Sequence, residues 1–468
     1  MTAKKMDRRK FLGMASCAAI GSTTMFSTLA NLSMANALAM PISAPPPNDY
    51  KALVCISLSG GNDSFNMLVP RNTSSYNEYA TSRSNLALLQ GDLLNLNFTD
   101  ANGKQFGIHP SMPEAQQLFN NGKLAFLSNI GTLVNPTSVS QYLSGNFGLP
   151  LGLFSHSDQL QQWQTSIPNQ RTALGWGGKM ADIVSSVNTN PNISMNISLG
   201  GTNIFQSGSN TVEYTIENVG NGGTRGINIY DSTDPFNIVL KNGVQSILDQ
   251  NYQDLFKQTY AQRIKTSQNT HEIFKSAVES IPPFLTNFSV NKLSQDLEMV
   301  AKTIAASDLL GMHKQTFYLN YSGWDHHDEL LNNQQTMLSV VSKALSEFDA
   351  VLEELNISNK VTTFTISDFA RTLSSNGNGT DHAWGGNVMV MGGDVLGGQI
   401  YGQYPDLVLG AGQDVGGGIM LPTLSTDEYF AELALWFGVA GSDLVNLLPN
   451  IGNFYSPSAT PPIGFMNI

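Results

Sequence analysis

Four short runs of apolar and β-branched residues, each closing on a polar or glycine-bearing loop, constrain this chain more than any other feature. They are Ala52–Leu58, Lys123–Ile130, Thr316–Tyr321 and Val361–Ile366. Runs this short and this uniformly apolar read as strands buried on both faces. Val388–Met391 reads as a further strand. Between them the spacing turns helical. Met112–Phe119 reads as a helix, and helical patterns dominate from about 243 to 312, broken at Pro282-Pro283. The clearest helix is Asp328–Leu355, where Leu330, Met337, Val340, Val341, Leu345, Phe348, Leu352 and Leu355 recur at three- and four-residue spacing. Strand–helix–strand alternation predicts one α/β domain over 50–468 with a mainly parallel sheet. Residues 185–226 break the pattern. They are rich in Asn, Ser, Thr and Gly, with only Glu213, Glu217 and Arg225 charged and short alternating segments such as Ile193–Ile197, and read as a β-rich or irregular insertion at the surface, not a separate domain.

Charge and cysteine content exclude several classes of function. With 36 acidic against 24 basic residues, and no basic run after Lys10, the chain is not a nucleic-acid binder. Its two cysteines, Cys17 and Cys55, exclude a disulfide scaffold, a Cys-rich zinc site and a cysteine-ligated cluster. Residues 1–39 read as an export signal. Lys4, Lys5, Arg8, Arg9 and Lys10 precede an uncharged stretch ending in Ala35-Asn36-Ala37 and Ala37-Leu38-Ala39, either of which suits a signal peptidase. Arg8-Arg9-Lys10-Phe11-Leu12 resembles a twin-arginine (Tat) signal. The expected partner is therefore the Tat export machinery, and the expected location is periplasmic or extracellular. Residues 40–49 are a Pro-rich tether.

In a parallel sheet, ligands bind beyond the carboxyl ends of the strands, and the chain places its chemistry there. Ser59-Gly60-Gly61-Asn62-Asp63 follows the first run, and Asp63 offers a hard oxygen ligand. Trp324-Asp325-His326-His327-Asp328 follows the third. In an extended segment Asp325 and His327 share a side, suiting joint ligation of a cation, while His326 points the other way. Helix capping by Asp325 or Asp328 is the structural alternative. Asp368 and Arg371 follow the fourth run, and His382 lies beyond a glycine-rich loop. Arg371 offers a fork for an anion, or a partner for Asp368 or Asp381. Ser155, in Phe154-Ser155-His156-Ser157, is a candidate nucleophile. His109, His271 and His313 read as structural. Together Asp63, Asp325, His327, Asp368 and His382 form a carboxylate–imidazole set suited to a divalent metal, whether Zn, Mn, Mg or Ca.

Several motifs occur in a telling order. SGGND is followed by FGIHPSMPE (Phe106–Glu114), KLAFLSNIG and a Ser-His segment before Trp163. LGWGGKMAD (Leu174–Asp182), GWDHHDE, SDFARTLSSNGNGTDHAWGG and GGDVLGGQIYG (Gly392–Gly402) then follow. The set resembles the DUF1501 family of exported proteins, itself similar to the alkaline phosphatase and sulfatase superfamily. The resemblance implies an alkaline-phosphatase-like three-layer fold. It implies metal ligation by Asp63, Asp325, His327, Asp368 and His382, with the nucleophile near Ser155. It also implies that Arg371 and the Gly60-Gly61 amides hold the oxygens of a phosphate or sulfate ester, small or polymeric. One departure stands out: superfamily hydrolases commonly carry a histidine where this chain has Phe369, whose ring is expected to turn into the core. The expected function is metal-dependent ester hydrolysis. The alternative is a non-catalytic exported binding or assembly protein on the same scaffold.

Overall fold

The four apolar runs are strands of one sheet in the computed structural model, which describes residues 49–145, 148–218, 224–225, 234–456 and 460–468. The proposed leader, and the tether up to residue 48, lie outside the described residues. The sheet comprises β1 (Lys51–Leu58), β2 (Leu124–Gly131), β3 (Asn196–Ser198), β4 (Tyr214–Thr215) and β5 (Lys314–Asn320). It continues with β6 (Val361–Ser367), β7 (Gly386–Gly392), β8 (Ile400–Gly402) and β9 (Leu424–Ser425). Spatially the order is β8–β2–β7–β6–β1–β5–β3–β4, with β9 also paired to β2. Every pairing is parallel except those of β7, which runs against both β6 and β2.

Every residue of β2, β6 and β7 is buried, so side chains on both faces of the sheet are covered. The helices named here are α1 (Pro113–Asn120), α2 (His156–Thr165), α3 (Trp176–Val184), α4 (Pro235–Leu248) and α5 (Leu255–Glu279). After them come α6 (Lys292–Ala305), α7 (Leu330–Glu354) and α8 (Thr426–Phe437). Helices α1, α6 and α7 pack together; the Ala115 N–H of α1 donates to Ser342 Oγ of α7. Helices α2, α3 and α8 meet through aromatic rings, with Trp176 stacked on Phe430 at 4.5 Å and Trp163 edge-on to it. Each such fully buried ring contributes on the order of 2–3 kcal/mol relative to exposure. The result is a mixed α/β fold with a mainly parallel central sheet.

Helix α7 starts two residues later than the spacing predicts. Glu329 precedes it in a left-handed conformation (φ 51°), and no side chain caps it. That removes capping as the explanation of Asp325 and Asp328. The segment 185–226 carries the short strands its alternation suggests, but its described residues are not confined to the surface. Ile193, Met195, Ile197 and Leu199 alternate and are buried, and β3 extends the sheet beside β5.

The strand ends set up the site. Ser57 of β1 is in register with Asn320 of β5, and Leu58 with Ser367 of β6, so three loops leave the sheet side by side. Because β7 is antiparallel, the chain entering it reaches the same edge, and an isolated bridge pairs Arg371 with His382.

Candidate metal centre

Asp325 lies at the middle of the polar groups on this edge. Its Oδ1 is 3.1 Å from His327 Nε2 and 3.4 Å from His382 Nε2, and its Oδ2 is 3.4 Å from His156 Nε2. The imidazoles approach one another as closely: His382 Nε2 lies 3.1 Å from that of His156 and 3.0 Å from that of His327.

Each ring is turned by its other nitrogen. His156 donates its Nδ1 proton to Asp368 Oδ2 at 2.7 Å, His382 donates to the Phe154 carbonyl at 2.8 Å, and His327 donates to Asp381 Oδ1 at 3.2 Å. A neutral imidazole with a protonated Nδ1 carries a lone pair on Nε2. Three lone pairs and a carboxylate therefore face one space. Histidines that bind metals almost always donate their second nitrogen to a carboxylate or carbonyl in this manner.

The donor set fits a divalent cation. A tetrahedral ion held at about 2.0–2.1 Å by nitrogens separates them by roughly 3.3 Å, close to the spacing here. Ligand atoms of His156, Asp325 and His382 lie within 4.8 Å of one another. These four side chains are between 27% and 46% exposed, so the centre opens to solvent.

The surroundings tune charge. Burial alone would raise the Asp325 carboxyl, but the charge and hydrogen bond of Arg371 outweigh it and lower it below its ordinary value. Burial lowers His382, against the opposing Phe154 carbonyl, and so favours the neutral ring that ligation requires. Burial raises Asp368, although its bond to His156 opposes the rise. Phe369 packs beneath the site, its ring 4.7 Å from both His156 and His382. It is buried among the core hydrophobics, with its ring also against the imidazoles.

Of the residues the sequence nominates, the structure brings Asp325, His327 and His382 together. Asp368 stands one step back, orienting His156. Asp63 is elsewhere: it is wholly buried in an ion pair with Arg83 at 2.5 Å, and Arg83 also donates to the Thr372 and Leu373 carbonyls. A carboxylate enclosed with its own guanidinium is already neutralised. Ser155 sits just before α2 at its N-cap, and its hydroxyl meets Ser157 Oγ at 3.2 Å and Asp158, not the imidazoles. Arg371 has its fork committed to protein acceptors: the Gly60, Gly61 and Thr380 carbonyls, Asp325 and His327 Nε2. It positions the site instead of presenting free donors to an anion. The Gly60 amide likewise donates to Asp368 at 3.1 Å. His326 is buried, its ring near Trp324.

Sequence reasoning missed His156 as a member, having weighted its neighbour Ser155. The available signal was a histidine in a polar loop, outside any apolar period.

These features define an α/β protein with an imidazole–carboxylate centre at the carboxyl edge of its sheet. The chain belongs to the DUF1501 family: that family's profile, described as "protein of unknown function", matches residues 50–416. A search of curated proteins finds no match. Among solved structures, the chain is similar to the lipoteichoic acid synthase LtaP from Listeria monocytogenes (10% identity, TM-score 0.32, covering 88% of this chain and 79% of that one). It is also similar to the soluble domain of lipooligosaccharide phosphoethanolamine transferase A from Neisseria meningitidis (10% identity, TM-score 0.32, 85% and 90%). The PsFucS1 sulfatase from Pseudoalteromonas sp. is a third (12% identity, TM-score 0.31, 84% and 68%).

Proposed function

We propose that this protein is an exported, metal-dependent hydrolase of phosphate or sulfate esters, acting outside the cytoplasm after Tat-type export. The observation that carries the reading is the convergence of three Nε2 lone pairs on Asp325, each imidazole held by an acceptor at Nδ1. His156, Asp325 and His382 would hold the cation, with His327 beside them. Bound there, a divalent ion supplies Lewis acidity toward an ester oxygen. The chain's own residues do the rest. Asp368 fixes the His156 tautomer, and Arg371 keeps Asp325 ionised. Phe369 walls off the rear, so substrate enters from the solvent side. His327, backed by Asp381 and 45% exposed, presents its Nε2 lone pair to take a proton from the attacking water.

The commitment of Arg371 to protein acceptors favours a second reading, a non-catalytic binding protein on the same scaffold. Metal analysis of chain purified without chelator, combined with a panel of phosphate and sulfate esters, separates the two. The hydrolase reading expects stoichiometric metal and ester turnover, both lost on His156→Ala. Metal without turnover on any ester favours the binding protein, and absence of metal overturns the proposed centre.

A further inference from the structure

Helix α4 carries two apolar stripes, and only one of them has a partner among the described residues. Leu240, Val244 and Leu248 are half-buried or buried, on the side where α4 packs against α5. The other stripe, Phe236, Val239 and Ile247 at spacings of three and eight, faces solvent. The start of α5, the helix against which α4 packs, adds Leu255, Phe256 and Tyr260, which are 71%, 86% and 69% exposed. With about 150–250 Å² for each aromatic ring and somewhat less for each aliphatic chain, these six side chains offer roughly 800 Å². That matches the ~800 Å² each partner contributes to a standard stable interface.

Gly243 supplies an independent observation. It sits within the helix on the exposed stripe, and a Cβ built there meets nothing within 4 Å. A mid-helix glycine costs roughly 0.5–1 kcal/mol relative to alanine. No described residue uses the space that it leaves. A second helix crossing at Gly243 does, because a missing side chain lets two backbones approach closely.

We propose that this stripe is a self-association surface, seating α4 of a second copy antiparallel about a two-fold axis at Gly243. The axis sets Val239 against Ile247 of the partner subunit and Ile247 against Val239 of the partner subunit, an isologous contact. The stripe is unsuited to a membrane surface. Helix α4 carries one charge, Lys241, and lacks the basic polar face that seats a helix on lipid headgroups. The net charge of −12 also opposes an anionic bilayer.

Light scattering of the full chain over a concentration series tests the proposal. The expected result is a twofold rise in mass toward the dimer as concentration increases. The double variant V239E/I247E stays monomeric with unchanged thermal unfolding. Gly243→Leu also loses the dimer, although leucine is the better helix former. A wild-type chain that remains monomeric throughout overturns the proposal, as does a dimer that persists in both variants. Co-sedimentation of monomer with phosphatidylcholine or phosphatidylglycerol vesicles, lost in V239E/I247E, assigns the stripe to lipid and equally overturns it.

Discussion

Asp63 and Asp368 follow neighbouring strands and look alike in sequence, yet their surroundings give them different work. Asp63 meets Arg83, whereas Asp368 accepts from the imidazole that completes the centre. Removing one partner of a buried ion pair leaves an uncompensated charge, at a cost of about 3–5 kcal/mol. Arg83→Ala is therefore expected to lower the unfolding free energy by that amount in urea titrations while leaving bound metal per folded chain unchanged. Asp368→Ala is expected to do the reverse. Freed from its acceptor, His156 loses its fixed tautomer, and metal affinity falls roughly 10–100-fold in competition titrations. Equal loss of metal in both variants would mean that Asp63 belongs to the centre after all.

At the scale of elements, the site depends on how closely two loops approach. Gly60 has φ 119°, and a Cβ there lies 2.6 Å from the backbone N of Asp325 and 2.8 Å from that of Trp324. The β1 loop thus presses directly on the segment that bears Asp325. Gly60→Ala must either displace Asp325 or strain the turn, at about 1–3 kcal/mol. The expected outcome is reduced metal content together with a lower Tm. Loss of stability with metal content intact would show that the Asp325 loop does not depend on this contact. The antiparallel setting of β7 matters equally, since it returns His382 to the strand ends through its bridge with Arg371. Neither feature was legible in the chain: glycines after a strand announce a turn but not what lies across from it. The apolar run Val388–Met391 announces a strand but not its direction.

For the molecule as a whole, a buried acid far from the centre in sequence contributes to the pH response. Asp427, at the start of α8, is inaccessible to solvent, and burial raises its carboxyl to about 8 despite the nearby Ser166 and Lys179. Unfolded, it loses its proton near its ordinary value of about 3.9. The folded state therefore holds an extra proton between these values, and stability falls as pH rises through that window. Asp427→Asn is expected to raise Tm most at pH 8, with the gain shrinking toward pH 4 in calorimetry. A gain independent of pH would show that Asp427 is not the titrating group. By itself the sequence determined the buried central strands, the long helix and the edge at which polar residues collect. Apolar periodicity along neighbouring residues is enough to decide which backbone is buried and where each strand ends. Only the tertiary structure decided which polar side chains meet. His156 and Asp368 lie 212 residues apart, and His327 and His382 lie 55 apart. The direction of each ring is set by the acceptor at its Nδ1, and the fate of Asp63 by a guanidinium enclosed with it. Such partners are chosen by packing, because a buried polar group must be paired where it comes to rest.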